Sequence, residues 1–176
     1  MLTRKCIYLI SCLIIFILCG CNPRTMINKN DNIKEENTIV TEHAADLITI
    51  PDKIIFYHQG KETLIDKDNT KFQKIVSMAV DRANTVKDIS KMAISESDIG
   101  TLRQQNDVLE FSYSKEVEVN WRPPNVTTDF QYKFKYNSIL FPLSGEWNKF
   151  MIFLPIQNGP IGPMGPADEI QKYLNQ

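Results

Sequence analysis

The strongest constraint on the fold is a stretch in which large side chains alternate with polar ones. Between residues 109 and 136 the alternation runs through Leu109, Phe111 and Tyr113, then Val117, Val119 and Trp121, then Phe130, Tyr132, Phe134 and Tyr136. A period of two places successive side chains on opposite faces of a β-strand. The pattern therefore predicts strands that each bury one face. Residues 139–143 are apolar at every position, which predicts a strand covered on both faces.

Two helices are predicted before these strands. The first has one apolar stripe at helical spacing, formed by Phe72, Ile75, Val76, Ala79, Val80 and Ala83. Asp68 or Asn69 is expected to cap its N-terminus, and Arg82 is expected on its polar face. Ser95, followed three residues later by Asp98, is typical of the start of a second helix.

The remaining elements complete an α+β pattern. Two β-rich segments, residues 53–58 and 62–66, flank a short connector that contains Gly60, which predicts a hairpin. A strand over 149–154 and a closing helix after Pro166 are predicted at the other end of the chain. We therefore expect residues 47–176 to form a single α+β domain with a small, mostly antiparallel sheet and helices packed on one face.

The N-terminal segment is different in character. Arg4 and Lys5 precede about fourteen mostly apolar residues, which is the arrangement of a secretory signal peptide. A membrane-spanning helix needs ~20 apolar residues. The run ends at Cys21, after which the chain is polar. The segment therefore predicts export of the chain, with an uncleaved apolar anchor as the alternative.

The end of this run, Leu18-Cys19-Gly20-Cys21, resembles the lipobox of bacterial lipoproteins. The resemblance implies that residues 1–20 are a lipoprotein signal peptide and that cleavage leaves Cys21 as the new N-terminus. It also implies a diacylglyceryl group, with acyl chains of the palmitate kind, on the sulfur of Cys21. Two acyl chains hold a protein stably on a bilayer, whereas one binds only marginally. The implied location is the extracytoplasmic face of the cell membrane.

Residues 21–46 are predicted to be a flexible tether. The segment is rich in Asn, Lys and Glu, has few large apolar side chains and shows no period. Such a sequence buries too little surface to offset the entropy of ordering it. As a flexible coil, about 25 residues would span on the order of 25–30 Å. That reach would lift a folded domain clear of the lipid headgroups.

The residue inventory excludes several kinds of chemistry. All four cysteines lie at positions 6, 12, 19 and 21, so the predicted domain can hold no disulfide, zinc–cysteine site or cysteine nucleophile. His43 falls in the tether, and His58 stands alone at a strand end. The net charge is -1 for the whole chain, which gives no indication of nucleic-acid binding. No cofactor, metal or catalytic constellation is predicted.

Three functional hypotheses follow from these observations. The leading one is a non-enzymatic, lipid-anchored module that binds another protein or component of the cell envelope. Its contact surface is predicted at the Gly-Pro loop and a neighbouring tryptophan, because stiff loops lose little entropy on binding. The residues of this surface are Trp147, Gly159, Pro160, Gly162 and Pro163. The alternative is a small-ligand or sensor lipoprotein with a pocket between the helix at 69–84 and the sheet. A hydrolase that uses Asp66 or Glu110 is the weakest alternative.

Overall fold

The computed structural model describes Val40, Thr41 and residues 43–176, and the structural statements below concern this part of the chain. The predicted signal peptide, Cys21 and most of the predicted tether lie outside it. The elements in chain order are β1 (Val40–Thr41), a 3-10 helix (Ala44–Leu47), β2 (Lys53–His58), β3 (Lys61–Ile65), α1 (Phe72–Ala83), α2 (Glu96–Gln105), β4 (Val108–Trp121), β5 (Tyr132–Pro142), β6 (Ile152–Leu154) and α3 (Asp168–Leu174).

One sheet organises the described residues. Its strands run in the order β3-β2-β4-β5-β6, and neighbouring strands are antiparallel. β1 lies parallel to the end of β4, where Val40 pairs with Asn120 and Thr41 with Trp121. β2 pairs only with the first part of β4, up to Ser112, so β1 extends the sheet beyond β2. The predicted α+β class with a mostly antiparallel sheet is confirmed.

Each face of the sheet carries its own apolar cluster, because the register sends alternate residues to opposite sides. Ile54, Phe111, Ile139 and Phe153 are neighbours across four strands and pack beneath α1, α3 and the 3-10 helix. On the opposite face, Tyr57, Val108, Leu140 and Ile152 pack with Ile99 and Leu102 of α2. α1 and α3 thus share one face as expected, and α2 covers part of the other. This second layer explains why residues 139–143 are apolar on both sides.

Local signals in the sequence account for two of the element boundaries. Gln59 and Gly60 both have positive φ, 49° and 76°, in the two-residue turn between β2 and β3. That backbone geometry matches the twist of a hairpin and favours glycine. At the start of α2, the Ser95 hydroxyl accepts a hydrogen bond from Asp98 N while the Asp98 carboxylate accepts from Ser95 N. The predicted hairpin and the predicted cap are both confirmed.

The fold begins earlier than the predicted domain boundary at residue 47. β1 and the first three residues of the 3-10 helix fall in the segment 21–46, which is predicted to be a flexible tether. Leu47 is fully buried, and its carbonyl accepts a hydrogen bond from the Tyr136 hydroxyl. The Tyr113 hydroxyl donates to Thr49 O at 3.0 Å. These buried contacts with residues far along the chain offset the ordering entropy, and no local period reveals them.

Two other expected boundaries also shift. α1 begins at Phe72 rather than directly after Asp68 or Asn69, because those residues form a turn in which Asn69 Oδ1 accepts from Lys71 N at 2.9 Å. The last strand is shorter than the predicted 149–154 and covers only Ile152–Leu154. The turn before it, which includes a bond from Phe150 N to Trp147 O, takes up the preceding residues.

Candidate functional site

The Gly-Pro segment predicted as a contact surface is largely packed against the domain. Pro160 is buried, and its carbonyl accepts a hydrogen bond from Ser90 N at 2.8 Å. Gly162 is buried, and its N–H donates to Asp88 O at 3.3 Å. Gly159 is half-buried, which leaves Pro163 as the exposed member of the four. The backbone of this segment is hydrogen-bonded to residues 88–90 and 149–151, so the segment lies against the domain.

Trp147 is also not a surface residue. It is 8% exposed and belongs to the apolar cluster beneath α2. Its ring lies 6.0 Å from the ring of Phe150 in an edge-on arrangement. The sequence places Trp147 in a polar turn, and the turn does exist, but it folds back on the sheet. Four of the five residues of the predicted contact surface are therefore unavailable or only partly available to a partner.

Glu110, a candidate catalytic carboxylate, is the buried partner of two side chains. It is 7% exposed, and its Oε2 accepts hydrogen bonds from Arg103 Nε at 3.1 Å and Nη2 at 2.8 Å. The Tyr57 hydroxyl donates to the same oxygen at 3.0 Å. Burial and the negative charge of Glu110 raise the pKa of Tyr57 to about 12. This network joins α2 to the sheet.

Asp66, the other candidate for acid–base chemistry, has a local role. Its Oδ1 and its backbone carbonyl both accept hydrogen bonds from Asn69 N, each at 3.1 Å, in the turn before α1. It is exposed, whereas Glu110 is buried. None of the hydrogen bonds of Glu110 described above involves Asp66. The pair of carboxylates in one cleft that a hydrolase would need is therefore not formed by these two residues.

His58 has a partner that the sequence did not reveal. Its Nδ1 lies 2.7 Å from Asp107 Oδ1, although 49 residues separate the two. The His58 side chain is 48% exposed, and that of Asp107 is 16% exposed. Gln171 Nε2, on α3, donates to the other Asp107 oxygen at 3.4 Å. The pair connects the β2–β3 hairpin to the start of β4, and the antiparallel register, which is not visible in a local pattern, brings the two together.

A groove of about 450 Å³ lies between α1 and the segment 165–170. Its size falls within the range of ligand-binding clefts. Arg82 lines it and is 6% exposed, so the expectation that Arg82 lies on the solvent face of α1 is wrong. Its Nε donates to Gly165 O at 3.1 Å and its Nη2 to Asn148 O at 2.6 Å, while Nη1 has no hydrogen-bond partner among the described residues. Burial lowers the pKa of Arg82 to about 10.

The charged residues of this α1–α3 groove are unequal in sign. Lys74, Asp81 and Arg82 line it from α1, and Asp168 and Glu169 line it from α3, so it holds three carboxylates and two cations. Met78 and Ile170 supply apolar surface between them. The predicted pocket between α1 and the sheet is a different place, and the structure fills it with the α1 stripe. The groove on the outer flank of α1 replaces it as the candidate binding site.

The described residues offer neither a metal cluster nor a membrane-spanning helix. Across Val40, Thr41 and 43–176, no group of three or more His, Cys, Asp or Glu side chains is arranged to hold a metal ion. In the same residues, no helix is both long enough and apolar enough to cross a bilayer.

Comparison of the chain with protein-family models, with curated proteins and with solved structures produced no match. No relative therefore supplies a function, a ligand or a site residue. The function is inferred from the chain's own residues and geometry.

Proposed function

We propose that the chain is a lipid-anchored protein of the cell envelope, held on the extracytoplasmic face of the membrane through Cys21. In this proposal the α+β domain acts by binding an envelope partner and does not catalyse a reaction. One observation carries the proposal: two cations, a short apolar run and the sequence Leu18-Cys19-Gly20-Cys21 occur together at the start of the chain. Removal of residues 1–20 takes away Arg4 and Lys5 and leaves 18 basic against 21 acidic residues, a net charge of -3.

The chemistry of the domain supports a binding role. Two residues of types that often act in catalysis have side-chain partners within the domain. His58 is engaged with Asp107 and Glu110 with Arg103, each at hydrogen-bond distance. Residues 22–176 contain no cysteine, so the fold holds together without a disulfide after export. A domain of this size can bury enough surface to be stable without one.

Mass spectrometry of the protein purified from host membranes tests the proposal. The expected mature chain begins at Cys21 and carries the mass of a diacylglyceryl group on its sulfur. Cys21→Ala should abolish both the modification and detergent-phase partitioning. Cys19→Ser is the matched control, because it removes a neighbouring thiol and keeps a small residue before the cleavage site. A chain that retains Met1 and a free thiol at position 21 would contradict the proposal.

The α1–α3 groove favours a second candidate function, the binding of a small cationic ligand. Asp81, Asp168 and Glu169 outnumber the cations of the groove, and a net negative cleft attracts positive charge. Met78 and Ile170 would contact an apolar stem between the charged groups. The ligand class is therefore an ammonium group on an aliphatic chain, as in a lysine side chain.

A pair of probes separates charge recognition from apolar burial. N-acetyl-lysine amide should raise the midpoint of thermal unfolding, and the uncharged N-acetyl-norleucine amide should not, since a ligand that binds the folded state stabilises it. Asp168→Asn should reduce the effect of the lysine derivative. Equal behaviour of the two probes, or no shift with either, would contradict this candidate.

A further inference from the structure

The chain enters the fold at one particular end of the sheet. β1 pairs with Asn120 and Trp121, the last two residues of β4. Arg122 N then donates to Thr41 O at 2.9 Å. The next segment, residues 122–131, connects β4 to β5 and is called the hairpin loop below. The first strand of the fold and the hairpin loop therefore lie at the same end of the domain.

The hairpin loop carries an exposed aromatic side chain. Phe130 is 56% exposed, whereas Phe134, four residues further along the chain and inside β5, is 1% exposed. The Phe130 ring lies edge-on to Tyr132 with ring centres 4.9 Å apart. Tyr132 lies 6.2 Å from Trp121, which is fully buried. Three aromatic rings thus lead from the core to the surface at this end.

The length of chain before β1 sets the typical distance between this end and the anchor. Residues 22–39, eighteen in number, separate Cys21 from Val40. If they act as the flexible tether proposed above, their end-to-end distance is roughly 21–25 Å. β5 runs away from this end for 11 residues, a length of about 36 Å. The turn at 144–148 that follows β5 is therefore the more distant end of the domain.

We propose that the hairpin loop touches the lipid bilayer, with Phe130 placed among the headgroups and upper acyl chains. The inference rests on the proposed lipid anchor at Cys21. A single phenylalanine is a weak membrane contact by itself. An anchored domain, however, experiences a high effective concentration of bilayer, so a weak contact becomes occupied. The contact would fix the orientation of the domain, with α2 and the turn at 144–148 directed away from the membrane.

Site-specific fluorescence tests the proposal on the lipidated mature protein, residues 21–176. Residues 22–176 lack cysteine, so one introduced cysteine is a unique labelling site once Cys21 is acylated. Thr127→Cys places an environment-sensitive fluorophore on an exposed position of the hairpin loop, and Glu146→Cys places it at the distant turn. Each protein is reconstituted in phosphatidylcholine–phosphatidylglycerol vesicles with a nitroxide quencher attached near the lipid headgroup.

The expected result is quenching at position 127 and none at position 146. Phe130→Ser in the Thr127→Cys background should abolish the quenching while the protein still floats with the vesicles. Since Phe130 is exposed, this variant should keep the parent's unfolding midpoint.

Four results would overturn the inference, and they are distinguishable. Equal quenching at both positions, or quenching that Phe130→Ser leaves unchanged, would show that the loop does not select the bilayer while the anchor stands. A fluorophore at 127 that is shielded in host membranes but not in pure lipid vesicles would identify a protein as the occupant. A parent protein that fails to float would overturn the proposed anchor itself.

Discussion

Arg103 and Glu110 offer a quantitative test of how α2 is fixed to the sheet. Replacing Arg103 by methionine leaves the Glu110 carboxylate, which is 7% exposed, with the Tyr57 hydroxyl as its remaining donor among the contacts described above. The substitution also removes the guanidinium 5.5 Å above the Tyr57 ring. Methionine retains an apolar stem of similar length, so the change removes charge more than packing.

The magnitude follows from the burial of the two partners. Removing one member of a buried ion pair costs about 3–5 kcal/mol, because the other charge is left without compensation. Water reaches part of the Arg103 side chain, which is 31% exposed. Screening therefore lowers the expected loss in the free energy of unfolding to about 2–3 kcal/mol. The double variant Arg103→Met/Glu110→Met should lose less than the sum of the two single losses, since no buried charge remains and the remaining cost is the Tyr57 hydroxyl without its acceptor.

Urea denaturation followed by circular dichroism measures these differences for the parent, the two single variants and the double variant. Arg103→Lys is the matched control: it keeps a positive charge but loses the planar guanidinium that makes two bonds, and it should recover part of the loss. If Arg103→Met costs less than about 1 kcal/mol, or if the two single losses simply add in the double variant, the network does not hold α2 in this way.

Three further predictions concern other parts of the fold. Gly162→Ala should lower the unfolding midpoint, because an added Cβ would lie 2.5 Å from Lys149 O and 2.6 Å from the Phe150 ring. Gly100→Ala should instead raise the free energy of unfolding by about 0.5–1 kcal/mol, because an added Cβ there would meet no neighbouring side chain or element within 4 Å. Equal effects of the two variants in a thermal melt would refute this contrast. Hydrogen bonds from Ser114 and Lys67 lower the pKa of Asp52, so the stability that ionised Asp52 contributes is present at neutral pH and is lost progressively as the pH falls below about 4. Asp52→Asn should therefore narrow the difference in urea midpoint between pH 7 and pH 3. An unchanged difference would contradict the assignment. Tyr136→Phe should cost about 1–3 kcal/mol in urea unfolding, because it leaves the carbonyl of the buried residue Leu47 without its donor, and a neutral result would show that the carbonyl finds another partner.

The elements that the sequence could predict are those specified by neighbouring residues. Alternation over Phe130–Tyr136 identifies β5, and the apolar stripe from Phe72 to Ala83 identifies α1. The Ser95–Asp98 cap needs only a four-residue pattern, and the Gln59–Gly60 turn needs two residues with positive φ. In each case the physical cause, a period or a local hydrogen bond, is contained in a short window of sequence.

The features that a local sequence pattern could not predict depend on contacts between residues far apart in the chain. Trp147 lies in a polar turn whose burial is decided by α2, and Arg82 occupies a polar helix position that the C-terminal segment covers. Asp107 is an ordinary acidic residue until the register of β2 and β4 places His58 beside it. The 3-10 helix at residues 44–47 is too short to show a period. The burial of Leu47 and the hydrogen bond from the Tyr136 hydroxyl to its carbonyl hold this 3-10 helix in place.

The placement of β1 has a mechanical consequence. A pull on the chain before Val40 is delivered to β4, the longest strand, which is bonded on both sides within the sheet, and not to the peripheral strands β3 or β6. The connection consists of the two paired positions of β1 and the adjoining bond from Arg122 N to Thr41 O. The hydrogen bond from the Tyr136 hydroxyl to the Leu47 carbonyl is a second attachment of this segment to the sheet. If the proposed anchor holds the chain at Cys21, a force on the residues before Val40 would therefore reach the middle of the sheet before it reaches the peripheral strands.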